Sequence, residues 1–196
     1  MQLWNKLNKE DLEKHLREIG HKFVTISFYK YAKIVNPQLF RDHLYQMWSQ
    51  FDVVGRTYIA HEGINAQIAV PTEFLGEFRE ALYGIEFLNN VRLNFAVDDA
   101  EAEFPFLKLK IKVRDKILAD GLEDENFDVT KIGKHLKAAE FNELTNDPDT
   151  ILIDFRNHYE HEVGHFKGAH LPDVDTFRES LPFIEETILK GNEDKK

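Results

Sequence analysis

Residues 54–70 read VGRTYIAHEGINAQIAV. β-Branched and aromatic residues fill both halves, and His61-Glu62-Gly63 interrupts them. The stretch therefore predicts two strands, Val53–Ala60 and Ile64–Val70, joined by a short hairpin link. Upstream, Lys22–Lys30 (KFVTISFYK) has the same strand character. Between them, Asn36-Pro37 supplies a helix N-cap followed by proline at the first helical position, and Leu39, Phe40, Leu44, Met47, Trp48 and Phe51 recur on one apolar face. Downstream, Pro71-Thr72 opens another helix with Leu75, Phe78, Leu82 and Ile85 inward, and Phe87–Val97 supplies a further strand. The order strand, helix, strand, strand, helix, strand is the split βαβ pattern. Residues 22–97 are accordingly expected to form a ferredoxin-like α+β domain, with helices packed on one antiparallel sheet.

The rest of the chain is arranged around this unit. Residues 1–21 hold an amphipathic helix: Asn8 caps it, Leu12, Leu16 and Ile19 recur at helical spacing, and Gly20 ends it. Residues 98–129 read as a linker that carries a basic strand. The linker opens on the acidic run Asp98–Glu103, continues through Phe104–Lys116 (FPFLKLKIKVRDK), and passes into a turn-rich acidic loop, Gly121–Asp128. In the basic strand Leu107, Leu109, Ile111 and Val113 alternate with Lys108, Lys110, Lys112 and Arg114, giving one buried and one cationic face. Residues 130–196 form a second region: a helix over Lys131–Leu144, a turn at Asn146–Asp149, a buried parallel strand at Ile151-Leu152-Ile153, and a helix over Thr176–Leu189 before a polar end.

Composition bounds the function. The chain has 196 residues, 42% hydrophobic and 31% charged, which is ample for one or two globular domains. No apolar run approaches a membrane span and no secretory leader opens the chain, so a cytoplasmic protein without a membrane partner is expected. The net charge of −10 argues against indiscriminate nucleic-acid binding and against DNA as a partner, so an RNA contact should come from a local basic patch. Lys108, Lys110, Lys112 and Arg114 form one such patch, spaced by about 7 Å per step along a strand, close enough to follow successive phosphates. They also read as a solvated edge that keeps the sheet from pairing with other chains. On the hairpin, Arg56, Tyr58, His61, Asn65 and Gln67 suit hydrogen bonding to, or stacking on, unpaired bases; the same stretch also reads as an ordinary hairpin whose outward face is polar, and Arg41 and Arg56 are weaker RNA-binding candidates than the basic strand. His158, His161 and Glu162 meet no fixed metal spacing, and no metal site or identifiable cofactor is expected.

Zero cysteine sets a puzzle against residues 151–179, ILIDFRNHYEHEVGHFKGAHLPDVDTFRE. The D-x-R, E-x-x-x-G-H-x-x-G-A, P succession, with Asp154, Arg156, Glu160, Gly164, His165, Gly168, Ala169 and Pro172 on the matching positions, resembles the first half of a rhodanese domain. That family places a catalytic cysteine on a later loop, which here is expected beyond Lys196. No catalytic residue is thus expected within the chain, only supporting candidates: Asp154, which also reads as a backbone cap, and Arg156, which also reads as a surface ion pair.

Taken together, FYKYAKIVNP, GRTYIAHEGINAQIAVP, FPFLKLKIKVR and the rhodanese-like segment resemble the rhodanese-domain tRNA uridine hydroxylases, from about Lys22 to Leu189. The resemblance implies an acylphosphatase-like N-terminal domain that helps bind tRNA, joined to a partial rhodanese-like α/β domain. It also implies oxygen-dependent formation of 5-hydroxyuridine at wobble position 34, with molecular oxygen and an electron donor as co-substrates. An acylphosphatase activity is not expected, because residues 30–36 read KYAKIVN and lack the phosphate-cradling glycine-arginine loop. Two alternatives stay open at the level of sequence: rhodanese-type sulfur transfer through a cysteine persulfide, and a non-catalytic RNA-binding module.

Overall fold

The computed structural model describes residues 8–96, 104–117, 131, 133–156, 158–192 and 194–195. They belong to two compact units, Met1–Ile117 and Leu118–Lys196. The acidic run 98–103 and the loop 121–128 lie outside the described residues.

In the first unit, α1 (Lys9–Ile19) is capped by Asn8, whose side chain accepts from the Asp11 N–H, and ends at Gly20 in the left-handed conformation. The elements β1 (Phe23–Tyr31), α2 (Pro37–Ser49), β2 (Val54–Ala60), β3 (Gly63–Pro71), α3 (Leu75–Tyr83) and β4 (Asn94–Phe95) follow. β1 pairs antiparallel with both β3 and β4, and β2 pairs antiparallel with β3. With β5 (Leu109–Val113) the sheet order is β4-β1-β3-β2-β5, the ferredoxin-like arrangement extended by one strand.

Alternation along the strands sorts the two faces. Ile26 and Phe28 of β1, Ile64, Ala66, Ile68 and Val70 of β3, and Ile59 of β2 turn to one side, where Leu44 and Trp48 of α2 and Phe78 and Leu82 of α3 cover them. These side chains are almost fully buried, and Trp48 packs against Phe28 and Phe78 rings at 6.4 and 5.8 Å. A smaller apolar cluster lies on the opposite face at one corner: Leu16 of α1 with Val54 and Ala69, joined by Phe23, Phe104, Phe106 and Leu107. Among the described residues of this unit, no further apolar cluster forms on that face.

Two expectations about this unit need correction. The strand expected over Phe87–Val97 shrinks to Asn94–Phe95. A 3₁₀ turn at Glu86–Leu88 and Asn90 at φ 56° instead deliver Leu88 and Val91 to the core before the chain can extend. The basic strand, expected inside a linker, is a strand of the sheet itself: Leu109–Val113 pairs in parallel with Gly55–Ile59, and Leu109 and Ile111 complete the apolar face over the β2 edge.

The hairpin link is held tightly. Gly63 sits at φ 150°, where a Cβ would collide with the Lys30 carbonyl oxygen. Beside it, Ala32 N–H donates to Glu62 O and Ile34 N–H to His61 O, both at 2.9 Å, and His61 Nδ1 donates to Ile34 O at 3.0 Å. Glu62 also accepts from the Ile117 N–H at 2.7 Å, tying the chain just after β5 to the hairpin.

The second unit contains α4 (Ala138–Thr145), α5 (His158–Val163) and α6 (Phe177–Ile184), the last continuing as a π-helical turn over Glu185–Leu189. The helix expected from Lys131 begins only at Ala138, because Glu140 reaches back to the Lys137 N–H and fixes the start there. Ile151–Ile153 makes a single parallel bridge, Ile153 to His170, among the described residues. Asp154 N–H donates to His170 O at 3.0 Å and His170 N–H to Leu152 O at 2.8 Å.

Candidate nucleic-acid interface

Strand register brings most of the sequence candidates onto the open face of the sheet. Tyr29, Asn65, Tyr58 and Lys112 lie opposite one another on β1, β3, β2 and β5, and so form one row across four strands. Ser27, Gln67, Arg56 and Lys110 form the adjacent row. None of these eight positions is acidic. Arg56, Tyr58, Asn65 and Gln67 line a shallow depression of about 170 Å³. Arg56, Lys110 and Lys112 are exposed, and the Arg114 guanidinium stands 5.5 Å from the centroid of the Tyr58 ring in a cation–π contact.

The face exists because the two layers of helix are unequal. α2 and α3 cover the apolar side along its length, whereas, among the described residues of this unit, α1 and residues 104–107 shield only the corner at Val54, Ala69 and Phe23. Two candidates fall outside the cationic rows for this reason. Arg41 is on α2, on the covered side, with a side chain 18% exposed and its Nε 2.7 Å from Asp42 Oδ1, so it does not join the rows. Lys108 is half-buried in a cleft with Leu12, Leu16 and Leu107 beneath α1. Sequence reasoning passed over Tyr29, Tyr31 and Ser27, although the alternation of SFYKY set against β3 carries the signal. Tyr29 is 63% exposed, and Tyr31 meets it edge-on at 6.3 Å.

In the second unit Asp154 and Arg156 come together as a closed pair. Arg156 Nε donates to both carboxylate oxygens of Asp154 (3.0 and 3.2 Å), Nη2 donates to Oδ2 at 2.6 Å, and the Arg156 backbone N–H donates to Oδ1 at 3.1 Å. These donations hold the Asp154 carboxyl well below its ordinary value, at about 2. Arg156 Nη2 also donates to Gly164 O at 2.7 Å, so the guanidinium ties the end of the bridging segment to the loop after α5. His161, buried, approaches Asp154 Oδ1 at 3.7 Å from α5. His165 Nδ1 donates to His161 O at 3.2 Å. Among the described residues, no group of three His, Asp or Glu side chains is arranged to hold a metal ion, and no helix is long and apolar enough to cross a membrane.

Residues 23–117 match the family model described as UPF0176 acylphosphatase like domain, which spans all five strands of the first unit. The whole chain is also similar to proteins named tRNA uridine(34) hydroxylase. That of Photorhabdus laumondii is 47% identical over 194 residues, covering 98% of this chain and 54% of the relative. Those of Citrobacter koseri and Salmonella arizonae are each 48% identical over 195 residues, covering 99% of this chain and 55% of the relative. The similarity to these relatives extends over nearly the whole length of this chain. The chain spans about half the length of the curated relatives it matches. Its 196 residues contain no cysteine.

Proposed function

We propose that the protein works in tRNA modification, in the oxygen-dependent hydroxylation of wobble uridine 34 to 5-hydroxyuridine, and that the first unit contributes a surface that holds the tRNA. The observation that carries this reading is the open sheet face: Arg56, Lys110 and Lys112, with Arg114 beside them, stand on or next to two rows whose eight positions hold no carboxylate, in a chain of net charge −10. Such local concentration of positive charge against an acidic background suits a polyanion and steers its approach. The names of the relatives supply the tRNA and the uridine.

The reading gives these residues the task of positioning RNA. Molecular oxygen is the proposed oxidant. Insertion of one oxygen atom into the uracil C–H leaves the other to become water, which takes two electrons and two protons, so an electron donor is the second proposed co-substrate. The proposed setting is the cytoplasm.

Nucleoside mass spectrometry of tRNA from cells with and without the gene tests the activity. Loss of 5-hydroxyuridine and its derivatives at position 34 is the expected result, and an unchanged content would overturn the hydroxylase reading. Filter binding of unmodified tRNA to this chain at about 50 mM and 200 mM salt tests the surface, with binding expected at the lower salt and a steep loss at the higher. Absence of binding at both would remove the sheet face from the proposal.

A further inference from the structure

Charge accounts for only part of the open face. Tyr29 and Tyr58 stand in one row with Asn65 between them, and since neighbouring strands lie about 4.8 Å apart, the two tyrosines are roughly 10 Å apart across the sheet. Tyr29 is 63% exposed on the face of β1 turned away from the core, from which its ring gains little. Tyr58 is held by Arg114 over its ring, and Tyr29 by the edge of Tyr31. Between and beside the rings, the amides of Asn65 and Gln67 present both donors and acceptors in the depression that Arg56 and Tyr58 complete.

A paired RNA helix offers this surface phosphates and ribose but keeps its base faces stacked, which leaves the tyrosines and amides without a role. An unpaired nucleotide offers a flat ring to stack, edges to hydrogen-bond and a phosphate for the flanking cations. We infer that the row Tyr29, Asn65, Tyr58 is a platform for unpaired RNA bases: the tyrosine rings stack on them, Asn65 and Gln67 bond their edges, and Arg56, Lys110 and Lys112 take the phosphates. This inference rests on the RNA reading of the face and deepens it by naming single-stranded RNA as the form that is held.

The test uses this chain and two fluorescein-labelled RNA probes, a mixed-sequence single-stranded 12-mer and a blunt duplex of the same length, at low salt. Tighter binding of the single strand is expected. Tyr29→Ala and Tyr58→Ala should each weaken single-strand binding about 5- to 100-fold, the range for loss of one base–aromatic stack, while duplex binding and the salt dependence stay as in the wild type. Tyr29→Phe and Tyr58→Phe keep the ring and should bind as the wild type does, which separates stacking from loss of fold. Equal binding of both probes, or tyrosine variants that weaken both probes alike or neither, would overturn the platform. If Lys110→Glu/Lys112→Glu still abolishes binding in that case, the RNA face survives without it. A wild-type chain that binds neither probe nor tRNA would instead refute the underlying RNA reading, and the platform with it.

Discussion

Replacing Asp154 by Asn should loosen the segment around it by an amount set by its partner. The Asp154 side chain is 7% exposed, and the donations from Arg156 lower its pKa from 3.8 to about 2. Nearly two pKa units correspond to about 2 kcal/mol of stabilisation by the charged form. Arg156 is 45% exposed, so water screens part of this and about 1–2 kcal/mol is the working figure. A carboxyl depressed in the folded state contributes fully above its unfolded pKa, near 4, and loses the contribution as pH falls from about 4 to about 2. Amide exchange at pH 7 reads the effect locally, because Asp154 N–H donates to His170 O and His170 N–H to Leu152 O. Those two amides should exchange about 5- to 30-fold faster in Asp154→Asn, provided they open through fluctuations that break the ion pair. In denaturant melts the gap between wild type and variant should close between about pH 4 and pH 2. Identical protection in the two proteins at pH 7 would refute the reasoning and reduce the pair to a solvated contact.

The cationic rows make a quantitative demand on binding. If Arg56, Lys110, Lys112 and Arg114 each neutralise one phosphate of a single strand, log K should fall with log salt with a slope of about −3, and Lys110→Glu/Lys112→Glu should bring it to about −1.5 or flatter; equal changes at Lys14 and Lys190 should leave it alone. Gly63→Ala forces a Cβ into the Lys30 carbonyl and should destabilise the first unit by about 1–3 kcal/mol or more, read as a shifted urea midpoint of Trp48 fluorescence in a Trp4→Phe background. The second unit should exchange its amides faster than the first, since Ile184 and Ile188 are the only buried hydrophobic side chains among its described residues; uniform protection would contradict this.

Of the two helices over the sheet, α2 was legible because cap, proline and apolar period agree from Asn36, and α3 from its apolar period, although it opens at Leu75 after a 3₁₀ turn at Thr72–Phe74 and without a side-chain cap; the strands between them were legible because β-branched residues alternate. β4 was not, since Phe87, Leu88, Val91 and Leu93 have strand composition while the backbone at Asn89-Asn90 has already turned. The place of β5 was also hidden: its alternation announces a strand with one wet face, but nothing local names its partner, and parallel pairing with β2 depends on a contact far along the chain. That Arg41 lies apart from the rows could not be read from the sequence, because helical position alone does not say which side of a sheet a helix covers. Tyr29 was overlooked for the converse reason: its strand was legible, but its neighbours in the row came only with register. Asp154 and Arg156, by contrast, meet two residues apart, and short separation is what a motif can encode.

That distant pairing of β5 bears on synthesis. Gly55 waits for Leu109 across more than fifty residues of intervening chain, a separation exceeded in this sheet by that of Ile26 and Phe95, and β5 is the last of the five described strands to be made, so its ladder is a high-separation step that closes late. A nascent chain that has emerged only as far as β4 can assemble four strands and both covering helices, yet it presents Arg56 and Tyr58 on an unpaired edge, with Lys110 and Lys112 still to come. The charge pattern proposed to bind RNA is therefore completed by the last strand of the sheet to emerge, and an unfinished protein on the ribosome, itself surrounded by RNA, carries only a fraction of that proposed surface.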